Sequence, residues 1–103
     1  MFFHKKRKPV PTLRLFDSAG KPILSVPVAD YVMPEETVLA LSVEYFDDPE
    51  PCEIHRGAVH KRAMMELIGR CGGSGLAVSE LSEGQRRYFP AETARVLITE
   101  ELS

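Results

Sequence analysis

The sequence holds no apolar run approaching the roughly 18 to 20 residues that a membrane-spanning helix requires. Its longest, Val38-Leu39-Ala40-Leu41, is one helical turn, so no spanning segment and no membrane partner is expected. Cysteine is scarce: Cys52 and Cys71 are the only two in 103 residues. A chain of this length can bury a sufficient core without the disulfide framework of small secreted domains, and two reduced thiols are expected. Charge of either sign is nearly balanced, with 13 Lys and Arg against 15 Asp and Glu for a net −2. The sequence pI of 5.9 contrasts with the positive balance usual in domains built to hold nucleic acid. Cofactor motifs are also missing. No Gly-Lys-Ser or Gly-Lys-Thr follows a strand to cradle phosphate, and the acidic stretch lacks the alternate spacing and the glycine of an EF-hand loop. No cofactor is expected.

The chain begins with the basic run Lys5-Lys6-Arg7-Lys8, but no apolar stretch of about 7 to 15 residues follows it as a signal peptide demands. The expectation is a cytoplasmic protein with a basic, extended N-terminal tail over residues 1–11 and one domain over residues 12–103. Composition supports that division, since 44% hydrophobic and 27% charged residues fit one globular core.

Leu13 and Leu15 share a face at period two, as do Leu24, Val26 and Val28, so two strands are expected on either side of Asp17-Ser18-Ala19-Gly20. Asp17 supplies a side-chain acceptor for the turn, and Gly20 can take positive φ. Pro22 and Pro27 cannot donate to a ladder, which places the second strand at a sheet edge. Pro34-Glu35-Glu36 is a helix-start signal, with proline at the first position and carboxylates at the positive end of the dipole. A helix over 34–47 follows, although Leu39, Leu41, Val43 and Tyr45 also alternate as a half-buried strand would. Ala58, Val59, Ala63, Met64, Leu67 and Ile68 recur at spacings of three and four, giving a second helix over 54–71 that the Gly72-Gly73-Ser74-Gly75 run stops. A strand over about 85–89 and a last one over 94–99 complete the reading. The fold class is α+β: a two-layer small domain with a largely antiparallel sheet of about four strands and two helices packed on one face. Its core is expected from Leu13, Leu15, Leu24, Val26, Val59, Ala63, Leu67, Val96 and Ile98.

Cys52, His55, His60 and Cys71 are the cluster of soft-metal ligands in the sequence. His55 and His60 lie about 140° apart on a helical wheel at 100° per residue, and Cys71 has no near neighbour of ligand type. Zinc requires four convergent ligands, so no metal site is expected. A Cys52 nucleophile with His55 or His60 as base is a remote alternative, because a thiol near a helix N-terminus ionises more readily. No oxyanion device or third group accompanies it, and an enzyme is not expected.

Charge is unevenly distributed. Asp30, Glu35, Glu36, Glu44, Asp47, Asp48, Glu50 and Glu53 fall in a segment without one Lys or Arg, whereas residues 54–71 carry Arg56, Lys61, Arg62 and Arg70 against Glu66. Such blocks pair within a fold or face different partners. We therefore expect a non-catalytic domain that binds another macromolecule, a protein, through charged surfaces, with Arg56, Lys61, Arg62, Arg86, Arg87 and Tyr88 as the candidate contact residues. The alternative is a nucleic-acid-binding domain that uses the basic helix 54–71 with Arg86 and Arg87, as a helix and wing would. Phosphate binding would need several of these cations on one exposed surface.

Overall fold

The computed structural model of the chain describes residues 9–71 and 75–102, the last two as backbone. Its elements are β1 (Pro9–Phe16), β2 (Pro22–Pro27), α1 (Glu35–Phe46), α2 (Glu53–Arg70), β3 (Leu76–Ala77), α3 (Glu83–Arg86) and β4 (Arg95–Leu102), with one-turn 3-10 helices at Val28–Asp30 and Val78–Glu80. The four strands form one antiparallel sheet in the order β2-β1-β4-β3. The chain is a small compact α+β domain.

The β1–β2 hairpin forms as its turn residues dictate. The Asp17 carboxylate accepts from the backbone N–H of Ala19 at 2.9 Å and of Lys21 at 2.8 Å, and Gly20 takes φ +80°, which an L side chain would resist. β2 is an edge strand, as its two prolines require. β1 begins at Pro9, so residues 9–11 belong to the sheet and not to the tail, whose residues 1–8 lie outside the described ones. Pairing sets Leu13 beside both Val26 and Ile98, and Leu15 beside both Leu24 and Val96. Cross-strand neighbours share a face, so the apolar positions of three strands line one side of the sheet.

Against that side pack α1 through Val38 and Leu41, and α2 through Val59, Ala63, Met64 and Leu67, in one hydrophobic core. Of the nine expected core residues, Leu13, Leu15, Val59, Ala63, Leu67 and Val96 are fully buried, and Leu24, Val26 and Ile98 are half-buried against them. Residues 37–46 are helical. α1 closes at Asp47, whose left-handed φ of 53° lets the backbone N–H groups of Asp47 and Asp48 return to the Val43 and Ser42 carbonyls, the device that commonly ends a helix.

The expected strand over 85–89 is corrected. Ser82-Glu83-Gly84-Gln85 is a capping box: the Ser82 hydroxyl accepts from the Gln85 N–H at 3.2 Å, and the Gln85 side chain accepts from the Ser82 N–H at 3.4 Å. Reciprocal satisfaction of these donors starts a helical turn, so Arg86 and Arg87 belong to α3 and its end, with Tyr88 just beyond. The fourth strand is instead β3, directly after the glycines. Gly75, at φ +84°, brings its Cα so near β4 that a Cβ there would stand 2.6 Å from the Val96 carbonyl oxygen.

Candidate functional site

The six candidate contact residues do not share one surface. Arg56 lies in the second turn of α2 and is held within the fold. Its Nη1 and Nη2 donate to the two carboxylate oxygens of Glu35, each at 2.7 Å, and its Nε donates to the Pro51 carbonyl at 3.3 Å. This two-pronged contact holds the Glu35 carboxyl below its ordinary pKa and raises that of Arg56. Arg62 projects from another side of α2, with its guanidinium carbon 4.5 Å from the centre of the Tyr45 ring. That cation–π contact sits in a cleft that Glu44 and Glu66 also line.

Arg86 and Arg87 line a third region together with Glu36 and Thr37. Arg86 donates through Nη2 to the Ser79 carbonyl at 3.2 Å, and the Arg87 carbonyl accepts from the Thr37 hydroxyl at 2.6 Å. Tyr88 is only 3% exposed and belongs to the core, where burial pushes its hydroxyl pKa up. It therefore offers no aromatic platform to a ligand. Two acids of the 30–53 segment face the start of α2 in pairs: Glu35 with Arg56, and Asp48 with His55 at 2.9 Å. The two charge blocks thus pair in part within the fold.

The cysteine and histidine positions likewise diverge. Cys52 and Cys71 flank the 18-residue α2, and at 1.5 Å per residue its length separates them by about 28 Å. A disulfide needs Cα atoms within about 7 Å, and a four-ligand metal site is equally out of reach. Among the described residues no group of three or more His, Cys, Asp and Glu could hold a metal ion. Cys71 is buried and its pKa is raised by burial, which makes it a poor nucleophile. Cys52 is exposed. Its prospective base, His55, directs Nδ1 to Asp48 and stacks on the Phe46 ring at 4.5 Å and 5° between planes. Among the described residues no hydrogen bond joins Cys52 to His55, so the nucleophile-base contact of a cysteine enzyme is not made.

Sequence reasoning passed over a different surface. One face of α2 packs in the core, yet the helix also presents Ile54 at 81% exposure, Met65 at 62% and Ile68 at 38% to the outside. Beside this second apolar stripe runs a groove of about 460 Å³ between α2 and the start of the sheet. Met64, Met65 and Ile68 line one wall, Val10 and Pro11 the other, with Val28 also in the lining. Lys61 stands in the same lining, and among its described residues no carboxylate does. His60 beside it is committed, with Nε2 2.8 Å from the Val28 carbonyl oxygen. The signal was available: at 100° per residue, Ile54 and Met65 fall outside the arc that Val59, Ala63 and Leu67 define. Among the described residues no helix is long and apolar enough to cross a membrane. No family model, no curated protein and no solved structure matches the chain.

Proposed function

We propose that this chain is a small, non-catalytic, cytoplasmic domain that acts by binding another protein. The observation that carries the reading is the outward apolar stripe of α2 beside its groove, where Ile54, Met65 and Ile68 remain exposed. Scattered exposed apolar residues are ordinary, but several on one helix next to a concave apolar lining mark an interaction surface. Charged groups around it, Lys61 among them, orient the partner and tune its approach more than they supply affinity. The dispersal of Arg56, Arg62, Arg86 and Arg87 over separate environments favours a protein over nucleic acid, because a polyanion is held by several cations acting on one face.

The test compares the neighbours of the full chain in its own cells, by proximity labelling, with those of the Met65→Glu Ile68→Glu double variant. A set of proteins lost from the variant, with thermal unfolding of the variant little changed, is the expected result. An identical neighbour set would overturn the reading. So would micromolar or tighter binding of single- or double-stranded oligonucleotides that weakens steeply with salt and disappears in Arg86→Ala Arg87→Ala, which would establish the nucleic-acid alternative.

A further inference from the structure

The outer face of α2 has a regular spacing. Ile54, Ala58, Lys61, Met65 and Ile68 follow one another at intervals of four, three, four and three residues, the rhythm of positions that face a second helix in helix-on-helix packing. On the wheel they occupy an arc of about 80°, opposite the buried Val59, Ala63 and Leu67. All five are exposed in the structure. The seam from Ile54 to Ile68 is about 21 Å long, matching a partner helix of about 14 residues. Gly57 and Ala58 keep its first half low, so a partner backbone can come close there. The groove lies alongside the seam from Gly57 to Ile68, and Val10 and Pro11 share its lining with Met64, Met65 and Ile68. A volume of about 460 Å³ accommodates a large apolar side chain projecting sideways from such a helix. Methionine suits this role, because its unbranched, polarizable side chain repacks around differing contours.

Charge identifies the occupant. Lys61 is the middle residue of the seam and also lines the groove, where no carboxylate is found among the described residues of the lining. Within α2, Glu66 turns to the other cleft, beside Glu44 and Arg62, and Glu53 lies about 100° round the wheel from Ile54. A second copy of the chain placed on this seam with two-fold symmetry would set Lys61 against Lys61, a like-charge contact that disfavours pairing. A partner carrying an acid at that layer gains an ion pair at the edge of an apolar contact, where specificity is set.

We infer that the outer face of α2 and its adjoining groove dock an amphipathic helix of another protein, with a large apolar anchor in the groove and acidic side chains meeting Lys61. This rests on the reading of the chain as a protein-binding domain and adds the site and the chemistry of the partner.

The probe is a fluorescent, side-chain-stapled helical peptide of about 14 residues with leucines on one face, a phenylalanine anchor and glutamates flanking them. Its twin carries lysines in place of the glutamates. Both are titrated against the full chain by anisotropy at moderate salt, and the site is mapped by backbone amide shifts. The acidic peptide is expected to bind at least about tenfold tighter than its twin, a difference typical of a complementary charge at an interface rim with its repulsive counterpart. Shifts should concentrate on residues 54–68 and 10–11. Met65→Glu should weaken binding by about tenfold or more, and Lys61→Glu should reverse the preference between the two peptides. Arg86→Ala, remote from the seam, should change nothing. Both α2 substitutions are at exposed positions, and unchanged thermal unfolding would confirm that they report on docking. Equal binding of the two peptides overturns the inference, as does a shift map on another face or the absence of binding. A dimer seen by sedimentation and lost in Met65→Glu would make a second copy the occupant, and capture by anionic vesicles at the same residues would make it a lipid surface. Either result overturns it as well. Peptide binding that maps elsewhere removes this site and leaves the protein-binding reading standing. That reading falls separately, on the cellular comparison of neighbours.

Discussion

α2 has two apolar faces with opposite fates. Val59, Ala63 and Leu67 are wholly withdrawn from water in contact with the sheet, while Ile54 and Met65, on the same 18-residue helix, are mostly exposed. Hydrophobicity is shared by both faces, so it does not explain the difference. Geometry does: one side of the sheet is lined by Leu13, Leu15 and Val96, and a helix can turn only one stripe toward it. The second stripe stays outside because the chain supplies no further described element to cover it. Apolar periodicity therefore reports that a face is sticky, and the number of elements available to cover it decides whether that face is core or surface.

The strongest way to break this comparison is to truncate one residue on each face. Leu67→Ala should cost about 2 to 5 kcal/mol, through lost burial and the cavity left behind. Met65→Ala should fall within about 0.5 kcal/mol of the parent, as exposed substitutions usually do. Urea unfolding of both variants measures the contrast. Comparable losses would mean that Met65 is covered in solution, and two small losses would mean that the sheet face is not the core.

This contrast also shows what the sequence made legible. Period-two alternation in β1 and β2, the Asp17 and Gly20 turn, and the 3.6-residue period around Ala63 are local signals whose structures form with little help from distant residues. They led to the sheet face, both long helices and the α+β class. Residues 85–89 read as a strand from sequence because Tyr88 and Phe89 suit a pleated surface by propensity, while the capping box of Ser82 and Gln85 carries the decisive information in two hydrogen bonds. Arg70 from α2 reinforces that turn by donating to the Gln85 side chain at 2.7 Å, a tertiary contact across 15 residues that no local pattern reveals. The candidate site was less legible for a related reason. Basic residues stand out in a sequence, but their value to a partner depends on whether they converge, and Arg56 finds Glu35 across 21 residues. Tyr88 looked like a surface aromatic because of its arginine neighbours, and its burial follows from the chain turning inward after α3.

A smaller effect sharpens the same comparison from the buried side with a polar group. Tyr31 donates its hydroxyl to the Tyr88 carbonyl at 2.8 Å in the core, and burial pushes its pKa from 10.0 up to about 12. Tyr31→Phe should cost about 1 to 3 kcal/mol, because the Tyr88 carbonyl is left buried without this partner. The alkaline limb has a definite sign. A phenol whose folded pKa lies above its unfolded value favours the neutral form in the fold. Its contribution is complete below pH 10 and is lost as pH rises from there through about 12, since the unfolded chain releases its proton first. The variant should lose stability less steeply across that window. It should not become flat, because burial raises Tyr45 and Tyr88 in the same direction. An unchanged alkaline slope would place the Tyr31 hydroxyl in water.

The smallest effect is expected at the exposed contact between Glu35 and Arg56, which closes the start of α1 onto α2. Both side chains are well exposed, at 58% and 41%, and water and salt screen such pairs. The hydrogen bond from Arg56 lowers the Glu35 pKa below its ordinary 4.5. A carboxylate depressed in the fold contributes stability that is present above its unfolded pKa and disappears as pH falls through the folded one. Glu35→Gln should therefore leave the thermal midpoint nearly unchanged at neutral pH and at high salt, and should make the acid limb below about pH 4.5 slightly less steep. Thermal unfolding at pH 3, 4, 5 and 7, at low and high salt, measures this. A marked loss at pH 7 that persists in high salt would mean that the pair is shielded from solvent, and that the rim of α2 is covered where the structure leaves it open.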